Sequence, residues 1–285
     1  VLLGDAEGGF DWSDETNVKF LLVASGERNP FEVVLEFLAE VEPKRWGPVG
    51  YADPPPKKGK KATDEEDYSE DGDQGDAETE TVNPSIELAE TFLAGKGDRT
   101  ALPIRFGGGN RPTVELGHWA DGSSRESFKL YSGNRSADKI ARDMLRGATK
   151  TKTKGIAQLW EEEREDIIER PLHVLTPMVG SFNFDPRGAW TAIDAGYSPN
   201  DQKHQVAASP VVEFLAAWGL ENARPDEFET RRVRYAVWGI TLPLMLARAA
   251  LCGGIPVAPL KQFRFELDMS GKNKVVTFAE LETKS

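Results

Sequence analysis

Residues 54–81 cannot help to build a core, and any fold of this chain has to form around them. Three prolines (Pro54, Pro55, Pro56) lead into a KKGKK run, and residues 64–80 then carry ten carboxylates and no basic residue. Like charges repel, and almost no apolar surface is present to offset the entropy of ordering. The segment therefore reads as a long disordered acidic insertion. It also accounts for the charge balance. The chain has a formal net charge of −12, and the ten carboxylates supply most of it. The remainder is close to neutral, so the overall acidity does not exclude a nucleic-acid partner.

On either side of the insertion the apolar pattern alternates between periods. Residues 17–25 (NVKFLLVAS) suit a strand. Asn29 then suits an N-cap with Pro30 at the first helical position, and Phe31, Val34, Leu35 and Leu38 follow at helical spacing. Residues 102–106 and 113–116 form a predicted hairpin around Gly107-Gly108-Gly109-Asn110, with no phosphate-loop pattern. Residues 86–94 and 136–146 suit helices, as do residues 156–170, where Pro171 marks the end. Residues 128–131 suit a short strand. Further on, Ser209-Pro210 opens a helix and residues 232–242 alternate like a strand. Residues 243–252 suit an apolar helix, and residues 263–267 and 275–278 a closing hairpin. The expected class is α+β: a mixed N-terminal part over 1–135, with the insertion at about 54–81, and a more helical C-terminal part over 136–285.

Cys252 is the only cysteine, which excludes an internal disulfide and a cysteine zinc site and fits a reducing cytoplasm. The longest apolar run, 240–260, is broken by Pro243, Arg248, Pro256 and Pro259, so no membrane association is expected. His118, His173 and His204 share no metal-ligand spacing, and neither a nucleophile elbow nor a reactive-cysteine context is present. No catalytic residue, cofactor or metal is predicted.

The stronger signal is basic. Residues 125–154 carry nine basic and three acidic side chains. A helix bearing Arg142 and Arg146 leads into ATKTKTKG, where Lys150, Lys152 and Lys154 alternate with threonines. Such a surface suits phosphate contacts: the cations release condensed counterions, and hydroxyls and backbone N–H groups add short bonds. A solvated helix followed by a basic loop has the same composition. Arg231 and Arg232 lie within reach of Glu227 and Glu229 and suit local ion pairs. In residues 182–202 (FNFDPRGAWTAIDAGYSPNDQ), Asp185 suits a cap and Arg187 projects from the first turn. Trp190 and Ile193 share a face, Gly196 suits a helix end, and Asn200 and Gln202 follow a second turn. Arg187, Asn200 and Gln202 are the side chains that such a loop offers to a groove or a neighbouring subunit.

FDPRGAW, then GYSPNDQ, then AAWGL followed by RP, then RRVRYAVWG occur in that order, after GDAEGGF and ERNPFEVVLEFL near the start. This succession resembles the Csb family of type I-U (I-G) CRISPR systems, over most of the chain except the 54–81 insertion. The resemblance implies a non-catalytic subunit of a Cascade-type complex in antiviral defence, in the place of the large, Cas-eight-like subunit. It implies CRISPR RNA, target DNA and other Cascade subunits as partners, and a separate helicase-nuclease recruited by the complex. It also implies that Val1 is an internal residue of the family's pattern. Two alternatives stand beside it. One is a purely architectural subunit docking through the Trp-rich C-terminal third. The other is a metal-independent CRISPR RNA-processing nuclease using His204 or His173 as general base.

Overall fold

The structure, a computed structural model, describes residues 2–46, 103–119, 128–131, 136–149, 152–178, 180–188, 206–255, 260–270 and 273–282. The acidic insertion and the expected 86–94 helix lie outside the described residues.

The first helix, α1 (Pro30–Glu40), starts as its sequence dictates. Asn29 accepts the Phe31 N–H at 2.9 Å, and Pro30 occupies the first turn, where an N–H would have no partner. Its buried residues include Leu35, Phe37 and Leu38, and Phe37 meets Phe106 of β4 (Ile104–Gly107), which forms a hairpin with β5 (Thr113–Leu116) and pairs on its other edge with β3 (Lys44–Arg45). Two more helices, α2 (Ala137–Arg146) and α3 (Ile156–Glu162), supply Ile140, Met144, Leu145, Ile156 and Leu159 to the same core. The helix α5 (Pro210–Asn222), opened by Ser209 accepting the Val212 N–H, closes it with Val211 and Phe214. The rings interlock: Phe106 meets Phe214 at 5.2 Å and Trp218 at 5.9 Å, and Trp119 stacks on Phe182 at 5.3 Å. Each such pair adds about 1 kcal/mol to the area it buries.

The helix expected over 156–170 is broken. At Glu163 the backbone leaves the helical region (φ −134°, ψ 37°), and α4 (Arg164–Glu169) begins anew. One Lys154 ammonium binds both Glu162 and Glu163 there. Adjacent helical side chains point about 100° apart, so one cation cannot hold both on a regular turn. The expected strand at 128–131 does not form; Phe128, Leu130 and Tyr131 are buried without strand pairing.

The C-terminal part is not clearly the more helical one. Among the described residues after α5, only α6 (Leu244–Leu251) is helical, whereas β8 (Asp226–Glu229), β9 (Arg232–Trp238), β11 (Leu260–Ser270), β12 (Asn273–Val276) and β13 (Glu280–Leu281) build an antiparallel sheet. The period-2 runs RVRYAVW and KQFRFEL decide this, since pairing puts Val233 and Leu267 into the core and the arginines on the opposite face. A separate sheet, β10–β1–β2, joins β1 (Ala6–Asp11) and β2 (Lys19–Ala24) to β10 (Leu242–Pro243). A Cβ on Gly9 of β1 would lie 2.3 Å from the Ile240 carbonyl oxygen, so only glycine permits this approach. A two-stranded pair, β6 (Thr176–Pro177) with β7 (Ala207–Ala208), completes the described strands.

Candidate nucleic-acid interface

Eight side chains were predicted to contact nucleic acid, and three of them, Lys150, Asn200 and Gln202, lie outside the described residues, as do Trp190, Ile193 and Gly196. Of the other five, Arg142, Arg146, Lys154 and Arg187 have partners within the chain.

Arg142 and Arg146 face α1, not solvent alone. Arg146 donates from Nη1 to the Ala39 carbonyl at 2.8 Å and from Nη2 to the Glu40 carbonyl at 3.0 Å. These are terminal carbonyls of α1, which lack intrahelical donors and carry the negative end of the helix dipole. Glu42, just beyond them, lies 3.4 Å from Arg142 and 3.8 Å from Arg146. The basic stripe of α2 is thus the C-terminal cap of another helix, about a hundred residues earlier in the chain.

Lys152 and Lys154 leave the same turn in different circumstances. Ala148 and Thr153 exchange both backbone hydrogen bonds, and Lys152 closes the turn with a left-handed backbone (φ 56°). The base is fixed further. Thr153 Oγ1 donates to the Pro177 carbonyl at 2.6 Å, and the Lys154 N–H donates to Thr176 Oγ1 at 2.7 Å. Lys152 stands exposed at the tip. Lys154 instead turns back to Glu163 at 2.6 Å and Glu162 at 2.9 Å, and those bonds, Glu163 first, raise its pKa well above the usual lysine range.

Arg187 also turns inward. Asp185, buried, accepts from Arg187 Nε at 2.8 Å and Nη2 at 2.8 Å in a two-pronged pair. It caps the turn as predicted, accepting the Arg187 N–H at 3.1 Å, and its other oxygen accepts the Ser209 N–H at 2.8 Å. The FDPRG segment is therefore a buried hub that ends in the 3-10 turn Pro186–Gly188. Beneath it lies Glu213, which no sequence pattern singled out. Its Oε1 accepts the Asp185 N–H at 2.8 Å and its Oε2 the Phe184 N–H at 3.2 Å. Burial pushes its carboxyl up to about 7; the backbone N–H groups work against the shift, and the charge of Asp185 adds to it.

Of the local ion pairs expected of Arg231 and Arg232, that of Arg232 with Glu229 forms at 2.8 Å, whereas Arg231 meets Glu227 through its backbone N–H at 2.9 Å, a hydrogen bond and not an ion pair. The next arginine of β9, Arg234, binds Glu282 through two bonds of 2.7 Å.

Among the histidines, His118 is packed between Trp119 and Phe184, with Nδ1 3.0 Å from Glu221 Oε1. That carboxylate also accepts the Gly117 and His118 N–H groups. Its burial acts to raise its pKa, but these bonds outweigh it and hold Glu221 below the usual range. His173 is exposed, and His204 lies outside the described residues. Among the described residues no group of three or more His, Cys, Asp or Glu is placed to hold a metal ion, and no helix is long and apolar enough to cross a membrane.

No protein-family model, curated protein or solved structure matches this chain.

Proposed function

We propose that the chain is a non-catalytic subunit of a type I CRISPR RNA-guided surveillance complex. In this reading it touches the backbone of target DNA or guide RNA and binds neighbouring Cascade subunits, and DNA cleavage falls to a recruited helicase-nuclease. Guide–target pairing supplies the sequence readout, so the protein needs backbone contacts more than base contacts. The reading is supported by the ordered succession of motifs from GDAEGGF to RRVRYAVWG. The structural observation that carries it is the 148–153 turn, which presents the exposed Lys152 on a base bonded twice to β6, at Thr176 and Pro177. A rigid base lowers the entropy cost when the tip meets a phosphate.

The contact set narrows accordingly. Lys152 is retained together with its sequence neighbour Lys150, while Lys154, Arg142, Arg146 and Arg187 are already engaged within the chain. The test is a titration of duplex and single-stranded DNA with the full chain across a range of salt concentrations. Replacing Lys150 and Lys152 by Ala is expected to weaken binding and to lower the salt slope by about 1 for each phosphate that is no longer neutralised. Unchanged affinity and slope would remove the turn from the interface.

An architectural reading has its own observation. At the start of α6, Leu244, Met245 and Leu246 stand exposed, Met245 to 71%. Apolar exposure of this kind marks a contact surface. Trp218, by contrast, packs its ring against Phe37 and Phe106 and belongs to the fold. Loss of complex assembly in Met245→Glu, with DNA binding intact, would favour this reading.

A further inference from the structure

Glu213 sits where an acid can control backbone geometry. The residue is buried, and its two oxygens take N–H groups from consecutive residues of one turn. That turn contains Asn183, whose left-handed backbone (φ 66°) is braced by its own side chain donating to the Leu130 carbonyl and by the Val276 N–H donating to its carbonyl. We propose that Glu213 is a pH-operated latch: ionised, it holds the 182–188 turn on α5 through both N–H groups, and protonation releases Phe184.

The direction follows from donors and acceptors. A carboxylate only accepts, with lone pairs on both oxygens; a carboxylic acid turns one oxygen into a donor. The Asp185 bond, at 2.8 Å, is the shorter and stays on Oε1. Oε2, with the longer Phe184 bond of 3.2 Å, takes the proton and becomes a donor and a much weaker acceptor, so the Phe184 N–H loses most of its hold. A buried carboxyl beside a second carboxylate, with no cation bonded to it among the described residues, titrates nearer neutrality than a surface glutamate. Its ordinary range rises to about 7 here, with burial as the first cause.

Among the described residues, the charges on the packed elements are already committed. On the turn, Asp185 is paired with Arg187. Behind Phe184, His118 is paired with Glu221. On α2, the buried Asp138 pairs with Arg45, and Arg142 and Arg146 are engaged at the end of α1. On β5, Glu115 pairs with Arg105. Asp185 is the neighbour whose charge raises the Glu213 pKa. The latch does not depend on nucleic-acid binding, and its test uses none.

Backbone amide exchange of the full chain, followed by NMR and corrected for intrinsic exchange chemistry, reads the latch directly. From about pH 8.5 to about pH 6, protection of the Phe184 amide is expected to fall about tenfold, the loss of one hydrogen bond, while the Asp185 amide changes little. In Glu213→Gln the profile should be flat. Constant Phe184 protection in the wild type overturns the proposal, as does the same transition surviving in the variant. Should the variant not fold, the Glu213 carboxyl carbon shift in the wild type decides. A titration near neutrality that tracks Phe184 supports the latch. A static carboxyl shift, or Phe184 protection that follows the His118 imidazole instead, overturns it.

Discussion

Removing the Asp185 carboxylate should cost about 3 kcal/mol, and the parts of that figure can be separated. Asp185→Ala leaves the Ser209 N–H without its acceptor at a buried position, worth about 1–3 kcal/mol. It also removes the bonds from the Arg187 N–H and from the Arg187 guanidinium. The Arg187 side chain is 31% exposed and regains water, so the ion pair itself is discounted to about 1 kcal/mol. Relief of the repulsion felt by Glu213 offsets a little of the loss. Urea denaturation of the full chain is the assay: the midpoint should fall by about 1 M with an unchanged slope. Arg187→Met alone should cost only about 1 kcal/mol, and the double variant should be no worse than Asp185→Ala, since both changes remove the same pair. A loss under about 1 kcal/mol for Asp185→Ala, or strict additivity with Arg187→Met, would refute the view of FDPRG as a buried hub.

Other expectations concern separate parts of the molecule. Because the Glu213 pKa is raised on folding, from an ordinary 4.5 to about 7, its contribution is complete below the ordinary value and is lost as pH rises through the folded one. Between about pH 5.5 and 8 the wild type should therefore lose about 2 kcal/mol of unfolding free energy relative to Glu213→Gln, at about 1.4 kcal/mol per pH unit below 7; parallel pH profiles of the two proteins would contradict this. Arg146→Met should cost about 1–2 kcal/mol in denaturant unfolding by uncapping α1, without altering the salt slope of DNA binding. Lys154→Ala should leave DNA affinity and slope unchanged, because its ammonium is held by Glu162 and Glu163; a drop equal to that of Lys152→Ala would return it to the interface. Trp218→Ala should lower stability by about 2–4 kcal/mol by removing the ring that packs against Phe37 and Phe106, detectable as a lower thermal midpoint before any assembly assay is run.

What the sequence determined by itself is local. Asn29-Pro30 and Ser209-Pro210 each open a helix, because an N-cap and a proline satisfy or remove N–H groups within three residues. The β4–β5 hairpin follows from alternation around a turn, and the closing hairpin was legible only in part: Val275 and Val276 pair with Asp268 and Leu267, whereas Phe263 and Arg264 pair with β13. Asp185 as a cap was legible for the same short-range reason. The partners of the charged residues were not legible. Arg146 reads as a free cation until α1, a hundred residues away, presents its last carbonyls. Arg187 reads as a projecting side chain, but its guanidinium folds back on Asp185, whose second oxygen is held by Ser209. Glu213 sits on α5 among apolar neighbours with no motif, and only the placement of the 182–188 turn above it makes it a buried acid with two N–H donors. Strand β1 was hidden by Gly8 and Gly9, which have low strand propensity; Gly9 is required only because Ile240 crosses so close. Caps and periodicity act over a few residues, so the chain order records them. Which carboxylate neutralises which cation is chosen when distant segments pack, and that choice leaves Lys152 exposed and Glu213 buried.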